Sequence, residues 1–408
     1  MTPLRVGALV PSSNTVVEPQ LRRLLGTTAA GTGTATATAP GVELFVTRVR
    51  VTHIDTGPDA GAQFDVGPMA AAAQLLADAR VDVLVWAGTS GSWLGFDADR
   101  HLVDELERRT GLPATTASLA LRQAWRAYGV RQGCLITPYV PAVAAAIAAR
   151  YGAEGLAVTA GHHLGLRDNY AFGEVVPDAI ADLVEAQAAR PWQAALVVCT
   201  NLAALPVVAR CETSTGRPVL DSVAACLWGA AVRVGAPLEV PGAGTLLAHG
   251  VRRHRLQALC DDLLATTGAD RVTVRLTDPG LGVDVALPAA EAVAPGVRSI
   301  RWDPSLDQRA LETVRWVDEH RRPLVQPDFG RPPFPPDALR DVYGVSAQLL
   351  APIGADVEGP VPGWVSVHSL LPRRWTAAEE ETVAAAAARA FALATGPLAG
   401  GPAGADRR

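Results

Sequence analysis

The stretch VDVLVWAGTSGS, residues 81–92, passes from a block of apolar residues directly into a turn of glycine, serine and threonine. The stretches LRVGALVPSSNT, residues 4–15, and AALVVCTNL, residues 194–202, have the same design. Short blocks rich in valine and leucine are typical of strands that are buried on both faces of a sheet. Because Ala-rich helical stretches separate these blocks, the pattern predicts βαβ units and a parallel α/β sheet covered by helices.

The predicted elements of the first 250 residues form two comparable halves, roughly 1–115 and 116–240. Each half opens with a strand, a turn and a helix. The segment 26–41 consists almost entirely of glycine, threonine and alanine, and we expect it to be a mobile loop at the surface. The predicted strands are 4–10, 42–51, 81–87, 133–137, 156–160 and 194–198, and the predicted helices include 68–79, 102–110, 141–151 and 177–189.

The pattern changes after the Pro/Gly-rich stretch PLEVPGAG at 237–244, which we interpret as a domain boundary. Beyond it, helices and alternating strands predict an α+β module with one antiparallel sheet. The tail at 397–408 is expected to be disordered. The predicted helices of this module are 249–268, 306–319 and 377–394, and the strand-like segments are 271–277, 283–287, 322–327, 347–353 and 363–369.

The composition excludes several classes of function. All 36 basic residues are arginine, and the 41 acidic residues bring the formal net charge to −5. Without lysine the chain lacks the Schiff-base lysine of PLP enzymes and the lysines of P-loop NTPases and kinases. The negative net charge does not favour binding to nucleic acid. Five cysteines without CxxC spacing do not favour a disulfide scaffold or a Cys-rich zinc site. Since no apolar stretch is long enough to cross a membrane, we expect a reduced, soluble, cytoplasmic protein.

Small polar residues follow four of the predicted strands, at the edge of a parallel sheet where ligands bind. Ser13 and Asn14 are typical helix caps, although a helix start also offers free N–H groups to a carboxylate. The turn at 88–92 is either a tight turn or a source of backbone and hydroxyl donors for an anion. Tyr139 is either a boundary aromatic or a phenol that donates into the cleft.

Cys199 lies where a buried strand is expected to meet a helix start, whose field lowers the pKa of a thiol. His162, His163 and Asp168 lack a further ligand at metal-site spacing, so no metal site is predicted. The remaining cysteines are interpreted as small core residues: Cys134, Cys211, Cys226 and Cys260.

Five motifs occur in order along the chain: PSSNT at 11–15, GTSGS at 88–92, PY at 138–139, GLRDN at 165–169 and CTNL at 199–202. Together they resemble the aspartate/glutamate racemase superfamily, and within it the maleate cis–trans isomerases and arylmalonate decarboxylases. The resemblance extends over about 4–248 and implies a racemase-like catalytic domain at 1–248. It further implies two pseudo-symmetric Rossmann-like subdomains, a site in the cleft between them, and no cofactor.

The resemblance also implies roles for single residues. Asn14 and Asn169 match asparagines that hold substrate carboxylates in the isomerases, and Cys199 matches the catalytic cysteine of the second half. The other matched positions are hydroxyl donors to a carboxylate (Thr89, Ser90 and Tyr139), backbone N–H donors (Cys199 and Thr200) and further substrate-binding positions (Ser13, Gly88 and Asn201).

Gly88 departs from the racemases and maleate isomerases, which carry their first cysteine there, and agrees with the decarboxylases. A single cysteine suits loss of CO₂ from one face of a malonate-type diacid, followed by protonation of the enediolate by Cys199. Asn14 and Asn169 favour instead a substrate that keeps both carboxylates, so maleate isomerase-like activity is the alternative. A non-catalytic carboxylate sensor is a third hypothesis.

The C-terminal module, residues 250–396, resembles a GAF domain in the order of its segments, which include RVTVRL at 271–276 and GWVSVHSL at 363–370. GAF domains bind small ligands or dimerise through their terminal helices, and the sequence has no cyclic-nucleotide signature. The expected assembly is a homodimer or higher homo-oligomer, for which this module is the candidate interface. The only other expected partner is a small dicarboxylate substrate, without nucleic acid or membrane.

Overall fold

The structure is a computed structural model that describes residues 2–29, 41–54, 62–331 and 337–400. The chain divides into two compact units, the first formed mainly by residues before Arg252 and the second by 252–398 together with 127–129. Most of the loop predicted at 26–41, and most of the tail predicted at 397–408, lies outside the described residues. No helix within the described ranges is long and apolar enough to span a membrane.

The strands of the first unit are β1 Leu4–Pro11, β2 Val42–Val49, β3 Val83–Trp86, β4 Ala114–Thr116, β5 Gln132–Tyr139, β6 Ala157–Leu166, β7 Ala194–Val197 and β8 Val219–Asp221. They form two four-stranded sheets in which neighbouring strands are parallel. The strand orders are β2-β1-β3-β4 and β6-β5-β7-β8, so the second half repeats the order of the first. The prediction of two α/β subdomains with parallel sheets is confirmed.

The helices that begin in this unit are α1 Val17–Ala29, α2 Val66–Asp78, α3 Gly91–Leu94, α4 Phe96–Thr110, α5 Ala117–Ala127, α6 Pro141–Ala153, α7 Asn169–Phe172, α8 Pro177–Glu185, α9 Val208–Thr215, α10 Ser222–Arg233 and α11 Thr245–Thr267. Helices α6 and α8 begin with proline, whose fixed φ suits the first turn of a helix. Helix α4 ends at Gly111, which takes the left-handed conformation that glycine adopts readily.

Strands β4 and β8 are absent from the predicted set. Each has three residues, which is too short for an apolar run or an alternating pattern to stand out. Both end in a polar residue that caps the following helix. Thr116 Oγ1 accepts a hydrogen bond from the N–H of Leu119 at 3.1 Å, and Asp221 Oδ2 accepts one from the N–H of Ala224 at 2.9 Å.

Helix α10 belongs in sequence to the second half but packs on β3 and β4 of the first sheet. A Cβ at Gly229 would lie 2.5 Å from the Cβ of Ala120, so only glycine allows this close approach. At the end of the helix, Arg233 forms an ion pair with Glu107 and donates to the carbonyl of Ala114 at 3.1 Å. The core of the first half is therefore completed by residues of the second.

The second unit contains a five-stranded antiparallel sheet, which confirms the predicted α+β module. Its strands are β9 Arg271–Leu276, β10 Ala290–Val293, β11 Leu324–Gln326, β12 Ala347–Ile353 and β13 Gly363–Ser369, and the helices after α11 are α12 Glu312–His320, α13 Asp337–Tyr343 and α14 Ala377–Thr395. The strand order is β10-β9-β13-β12-β11. One face of the sheet packs on α11 and α14 through residues such as Val272, Leu259 and Ala386.

Two predicted elements of this module are wrong. The segment predicted as a strand at 283–287 makes only an isolated bridge between Val283 and Asp278, because a tight turn brings these two residues together. The helix predicted at 306–319 begins only at Glu312. Before it, the carboxylate of Asp307 accepts from the backbone N–H of Arg309 at 3.1 Å, which holds the chain in turns.

Candidate active site

Cys199 follows β7 in a turn that does not begin a helix, so the predicted strand-to-helix junction is wrong. The next regular segment is a single 3₁₀ turn at Leu205–Val207. The thiol sulfur accepts a hydrogen bond from the N–H of Asn201 at 3.3 Å. The backbone N–H of Cys199 donates to Ser222 Oγ at 3.2 Å, so donation of this N–H to a substrate carboxylate would require that bond to break.

Burial raises the pKa of the Cys199 thiol to about 12, although hydrogen bonds from the Tyr139 hydroxyl and the Asn201 N–H act in the opposite direction. The predicted lowering of this pKa is therefore wrong, because no helix starts here and the residue is only 3% exposed. A thiol with this pKa stays protonated near neutral pH. It can donate a proton, whereas nucleophilic attack requires the thiolate.

Thr89, Tyr139 and Cys199 lie together across the two halves of the unit. The hydroxyls of Thr89 and Tyr139 lie 2.9 Å apart, and the Tyr139 hydroxyl is near enough to the Cys199 thiol to lower its pKa. Edge-on ring contacts hold Tyr139 in place, with centroids 5.3 Å from Trp93 and 5.5 Å from Phe172. Because burial raises the pKa of Tyr139 well above its usual value, the phenol remains a neutral donor.

Asn14 caps helix α1, as predicted: its Oδ1 accepts from the N–H groups of Val16 at 2.9 Å and Val17 at 3.0 Å. Its amide nitrogen donates to Thr200 Oγ1 at 3.2 Å, and this hydroxyl donates to the carbonyl of Ala87 at 2.8 Å. The ends of β1, β3 and β7 are thus joined by one short chain of hydrogen bonds.

Asn169 and Asn201 also connect the two halves. The amide nitrogen of Asn169 donates to Ser13 Oγ at 2.7 Å, and that hydroxyl donates to the carbonyl of Val51 at 2.6 Å. Asn201 accepts from the N–H of Thr15 at 2.9 Å and donates to the carbonyl of Asn169. The amide oxygen of Asn201 therefore joins the two halves, and its amide nitrogen holds Asn169 within the second half.

Residues 59–247 match the family model for arylmalonate decarboxylase, and residues 251–394 match that for the GAF domain. An arylmalonate decarboxylase of Bordetella bronchiseptica is 34% identical over 163 residues, covering 39% of this chain and 68% of the relative. The chain belongs to the arylmalonate decarboxylase family. The resemblance seen in the sequence is confirmed, and the second unit is a GAF domain.

Maleate isomerases are also similar to this member of the arylmalonate decarboxylase family. That of Nocardia farcinica is 27% identical over 257 residues, covering 60% of this chain and 95% of the relative. The crystal structure of the maleate isomerase from Pseudomonas putida S16 is 26% identical, with a TM-score of 0.53 over 60% of this chain and 99% of that one. Both kinds of enzyme act in the same fold.

Trp86 is a residue of the site that the sequence analysis missed. In this family member the Trp86 indole lies beside Gly88, where a Cβ would come within 2.4 Å of its Cε2 atom. The indole is fully buried, and its N–H donates to Ser90 Oγ at 3.3 Å. The ring therefore fills the space that a side chain at position 88 would need, and the Ser90 hydroxyl bonds to the ring.

Asp99 packs against the 88–92 turn at Gly91 and was also not predicted from the sequence. Its buried carboxylate accepts hydrogen bonds from the N–H of Gly91 and the hydroxyl of Thr116. A Cβ at Gly91 would lie 2.3 Å from the carboxylate carbon, so the turn needs glycine there. Burial outweighs these hydrogen bonds and raises the pKa of Asp99 to about 6.

Asp221 is the third missed residue, because its strand β8 was not predicted. One carboxylate oxygen caps α10, whereas Oδ1 has no hydrogen-bond partner among the described residues. Burial raises the pKa of this carboxyl to about 7. The following residue, Ser222, accepts from the N–H of Cys199 and donates to the carbonyl of Val197 at 2.6 Å. Ser222 therefore holds the backbone at Cys199 in position.

The other cysteines are buried within strands or helices, as predicted. Burial raises the pKa of Cys134 to about 12 and of Cys211 to about 11, so the nearby Tyr139 hydroxyl, and not the pKa, distinguishes Cys199. His163 bonds to Thr137 Oγ1 at 3.0 Å. In the described part of the chain, no group of three metal-ligating side chains could hold an ion.

Proposed function

We propose that the first unit decarboxylates a malonate-type diacid without a cofactor. The bond from the α-carbon to one carboxylate breaks, and its electron pair moves into an enediolate formed with the retained carboxylate. CO₂ leaves, the Cys199 thiol transfers its proton to the α-carbon, and the resulting thiolate takes a proton from solvent. Apart from the final proton, which comes from solvent, each step requires only donors that the site contains.

The observation that carries this proposal is a buried thiol, whose pKa burial raises, near the Tyr139 hydroxyl. With a pKa of about 12, Cys199 is a weak acid matched to a strongly basic carbanion. A nucleophilic role, as a lone-cysteine isomerase would need, requires the thiolate that burial disfavours. The same environment therefore supports proton donation over covalent attack.

The hydroxyls of Thr89 and Tyr139 are the donors for the enediolate oxygens. They are 2.9 Å apart and both side chains are buried, so an oxyanion that lies beside the pair can accept from both hydroxyls, once the bond between the two hydroxyls opens, in surroundings of low dielectric constant. The N–H of Thr200 is the backbone donor we assign to the same carboxylate, because that of Cys199 is bound to Ser222.

The departing carboxylate is assigned to the side of Gly88. Its neighbours Ala87 and Thr89 bond to Thr200 and Tyr139, so Gly88 lies close to the cysteine turn. The Trp86 indole beside Gly88 offers an apolar surface and no acid group. An apolar wall disfavours a charged carboxylate more than neutral CO₂, which assists the loss of CO₂.

Maleate isomerase-like activity is the second candidate. It is favoured by the buried amides of Asn14 and Asn169, which suit a substrate with two retained carboxylates. Each amide nitrogen, however, already donates within the chain, to Thr200 and to Ser13 respectively. Such a substrate would have to compete with these bonds.

A substrate panel followed by NMR tests the proposal. The full chain is incubated with phenylmalonate, methylmalonate and maleate, and the products are identified. We expect release of CO₂ and a monoacid from one of the malonates. Interconversion of maleate and fumarate without CO₂ would favour the isomerase, and absence of turnover with all three would favour the carboxylate sensor.

A further inference from the structure

The two halves of the first unit cap corresponding helices in the same way. Thr116 ends β4 and Asp221 ends β8, and each side chain accepts from the backbone N–H three positions further along the chain. Counted from these caps, Ser222 in the second half corresponds to Ala117 in the first. A hydroxyl therefore follows the cap in the second half, and a methyl group follows it in the first.

The Ser222 hydroxyl bridges two backbone groups of the cysteine turn. The residue is fully buried, and its Oγ donates to the carbonyl of Val197 at 2.6 Å and accepts from the N–H of Cys199 at 3.2 Å. These two groups flank Val198, the first residue after β7. A hydroxyl that bonds to both fixes the backbone of Val198, and with it the direction in which the Cys199 side chain leaves the backbone.

The corresponding turn of the first half has neither this hydroxyl nor an acid. The N–H groups of Ala87 and Val198 donate to β1 and β5 at 2.8 and 2.9 Å, which makes these two residues equivalent. The residues that follow them are Gly88 and Cys199. The hydroxyl is thus present where the turn carries a thiol and is replaced by a methyl group where the turn carries glycine.

Proton transfer to the α-carbon requires a thiol that is held in one direction. The sulfur of Cys199 accepts from the N–H of Asn201 at 3.3 Å, which restrains the side chain from the residues that follow it. The bond from the Cys199 N–H to Ser222 restrains the backbone from the residues that precede it. Both restraints matter, because a displacement of about 1 Å at a reacting group can slow a reaction on the order of 10²-fold.

We infer that Ser222 is a positioning residue for proton transfer from Cys199 to the α-carbon. It takes no part in the transfer itself, since both of its hydrogen bonds are made to the backbone. The inference rests on the proposed function. A serine that only stabilised the fold would affect the melting temperature alone, whereas a positioning serine also affects the rate and the face on which the α-carbon is protonated.

Kinetics and stereochemistry of the full chain test the inference. The substrate is 2-methyl-2-phenylmalonate, whose two different α-substituents make the monoacid product chiral. Ser222→Ala should lower kcat roughly 10- to 100-fold with KM nearly unchanged, because the thiol is displaced while the Thr89 and Tyr139 donors remain. It should also convert a product of one enantiomer into a mixture, since solvent then competes with the displaced thiol. Chiral chromatography measures the mixture.

Ser118→Ala is the matched control, because Ser118 is also a buried serine in the first turn of the corresponding helix α5. It should retain the rate and the single enantiomer. Ser222→Cys keeps the size of the side chain and weakens both hydrogen bonds, so it should show the same changes to a smaller degree and decides the question if Ser222→Ala does not fold. A lower melting temperature of Ser222→Ala with unchanged kcat and enantiomeric purity would overturn the inference.

The infrared S–H stretching band of Cys199 tests the role of Ser222 without a substrate. The band is identified as the one that Cys199→Ala lacks, and its frequency and width depend on the hydrogen bonding and orientation of the thiol. Ser222→Ala should shift or broaden it, whereas Ser118→Ala should leave it unchanged. If the unaltered chain releases CO₂ from none of the malonates, the proposed function fails and this band decides for Ser222: an unchanged band in Ser222→Ala would overturn the inference.

Discussion

The two halves of the first unit have the same strand order but different residues at equivalent turns. After β3 the chain reads Ala87, Gly88, Thr89, and after β7 it reads Val198, Cys199, Thr200. In the first half, the Trp86 indole occupies the space that a side chain at Gly88 would need, and the Thr89 hydroxyl bonds to that of Tyr139. In the second half, the same positions hold a thiol and a hydroxyl that joins the halves. The repeated fold thus supplies two equivalent positions, 88 and 199, and only position 199 carries a side chain that can donate a proton.

The largest expected effect comes from removing that acid. Cys199→Ala should lower kcat for decarboxylation on the order of 10³-fold or more, because general acid catalysis at the α-carbon is lost. The measurement is CO₂ release under saturating substrate. Cys211→Ala, a buried cysteine of α9, is the matched control and should retain its rate. An active Cys199→Ala protein would refute the proposed mechanism.

Removing the donor that links the two turns should have the next largest effect. Tyr139→Phe is expected to lower kcat on the order of 10²-fold with little change in melting temperature, since one preorganised hydroxyl is lost while the ring contacts with Trp93 and Phe172 remain. Steady-state kinetics and thermal unfolding measure the two quantities. An unchanged kcat would show that Tyr139 is only a packing residue.

Placing a thiol in the first half tests whether the turns are equivalent. Gly88→Cys alone should lower the free energy of unfolding by about 1–3 kcal/mol, because the new Cβ overlaps the Trp86 indole. Combined with Trp86→Val, it should gain a second acid and racemise the chiral monoacid product. Deuterium incorporation with chiral chromatography measures this, and Trp86→Val alone is the control. A double variant that never racemises would contradict the equivalence.

The caps of the two halves differ as well, and this difference should change the stability with pH and leave the reacting groups unaltered. The pKa of Asp221 is about 7 in the fold, above its usual 3.8, so the carboxyl binds its proton more tightly when folded. Its contribution to stability is therefore complete below about pH 4 and is lost as the pH rises towards 7.

Asp221→Asn keeps a capping oxygen and removes the titration. The free energy of unfolding of the unaltered protein, minus that of Asp221→Asn, should fall by up to about 1.4 kcal/mol per pH unit over this range. Chemical denaturation at several pH values measures it. A difference that does not change with pH would show that Asp221 is ionised throughout.

The parallel sheets, and the polar residues of the candidate site at the ends of their strands, could be predicted from the sequence, because apolar runs and the polar residues after them are local signals. β4 and β8 could not, since three residues carry too little pattern. With β8 missed, Asp221 could not be recognised as a cap. The predicted lowering of the Cys199 pKa was wrong, because this pKa depends on burial by residues that are distant in sequence. The obstruction at Gly88 depends on the rotamer of Trp86, which the sequence does not reveal.

The packing of α10 on the first sheet has a consequence for biosynthesis. On a ribosome, β1 to β4 are complete at Thr116, but the helix that covers β3 and β4 ends only at Arg233. At the usual rate of chain elongation the interval is roughly ten seconds. During that time the apolar face of β3 and β4 that α10 later covers is exposed on the nascent chain. A chaperone that binds apolar segments could bind to it. Synonymous codons that slow translation between these two points should therefore increase aggregation of newly made protein.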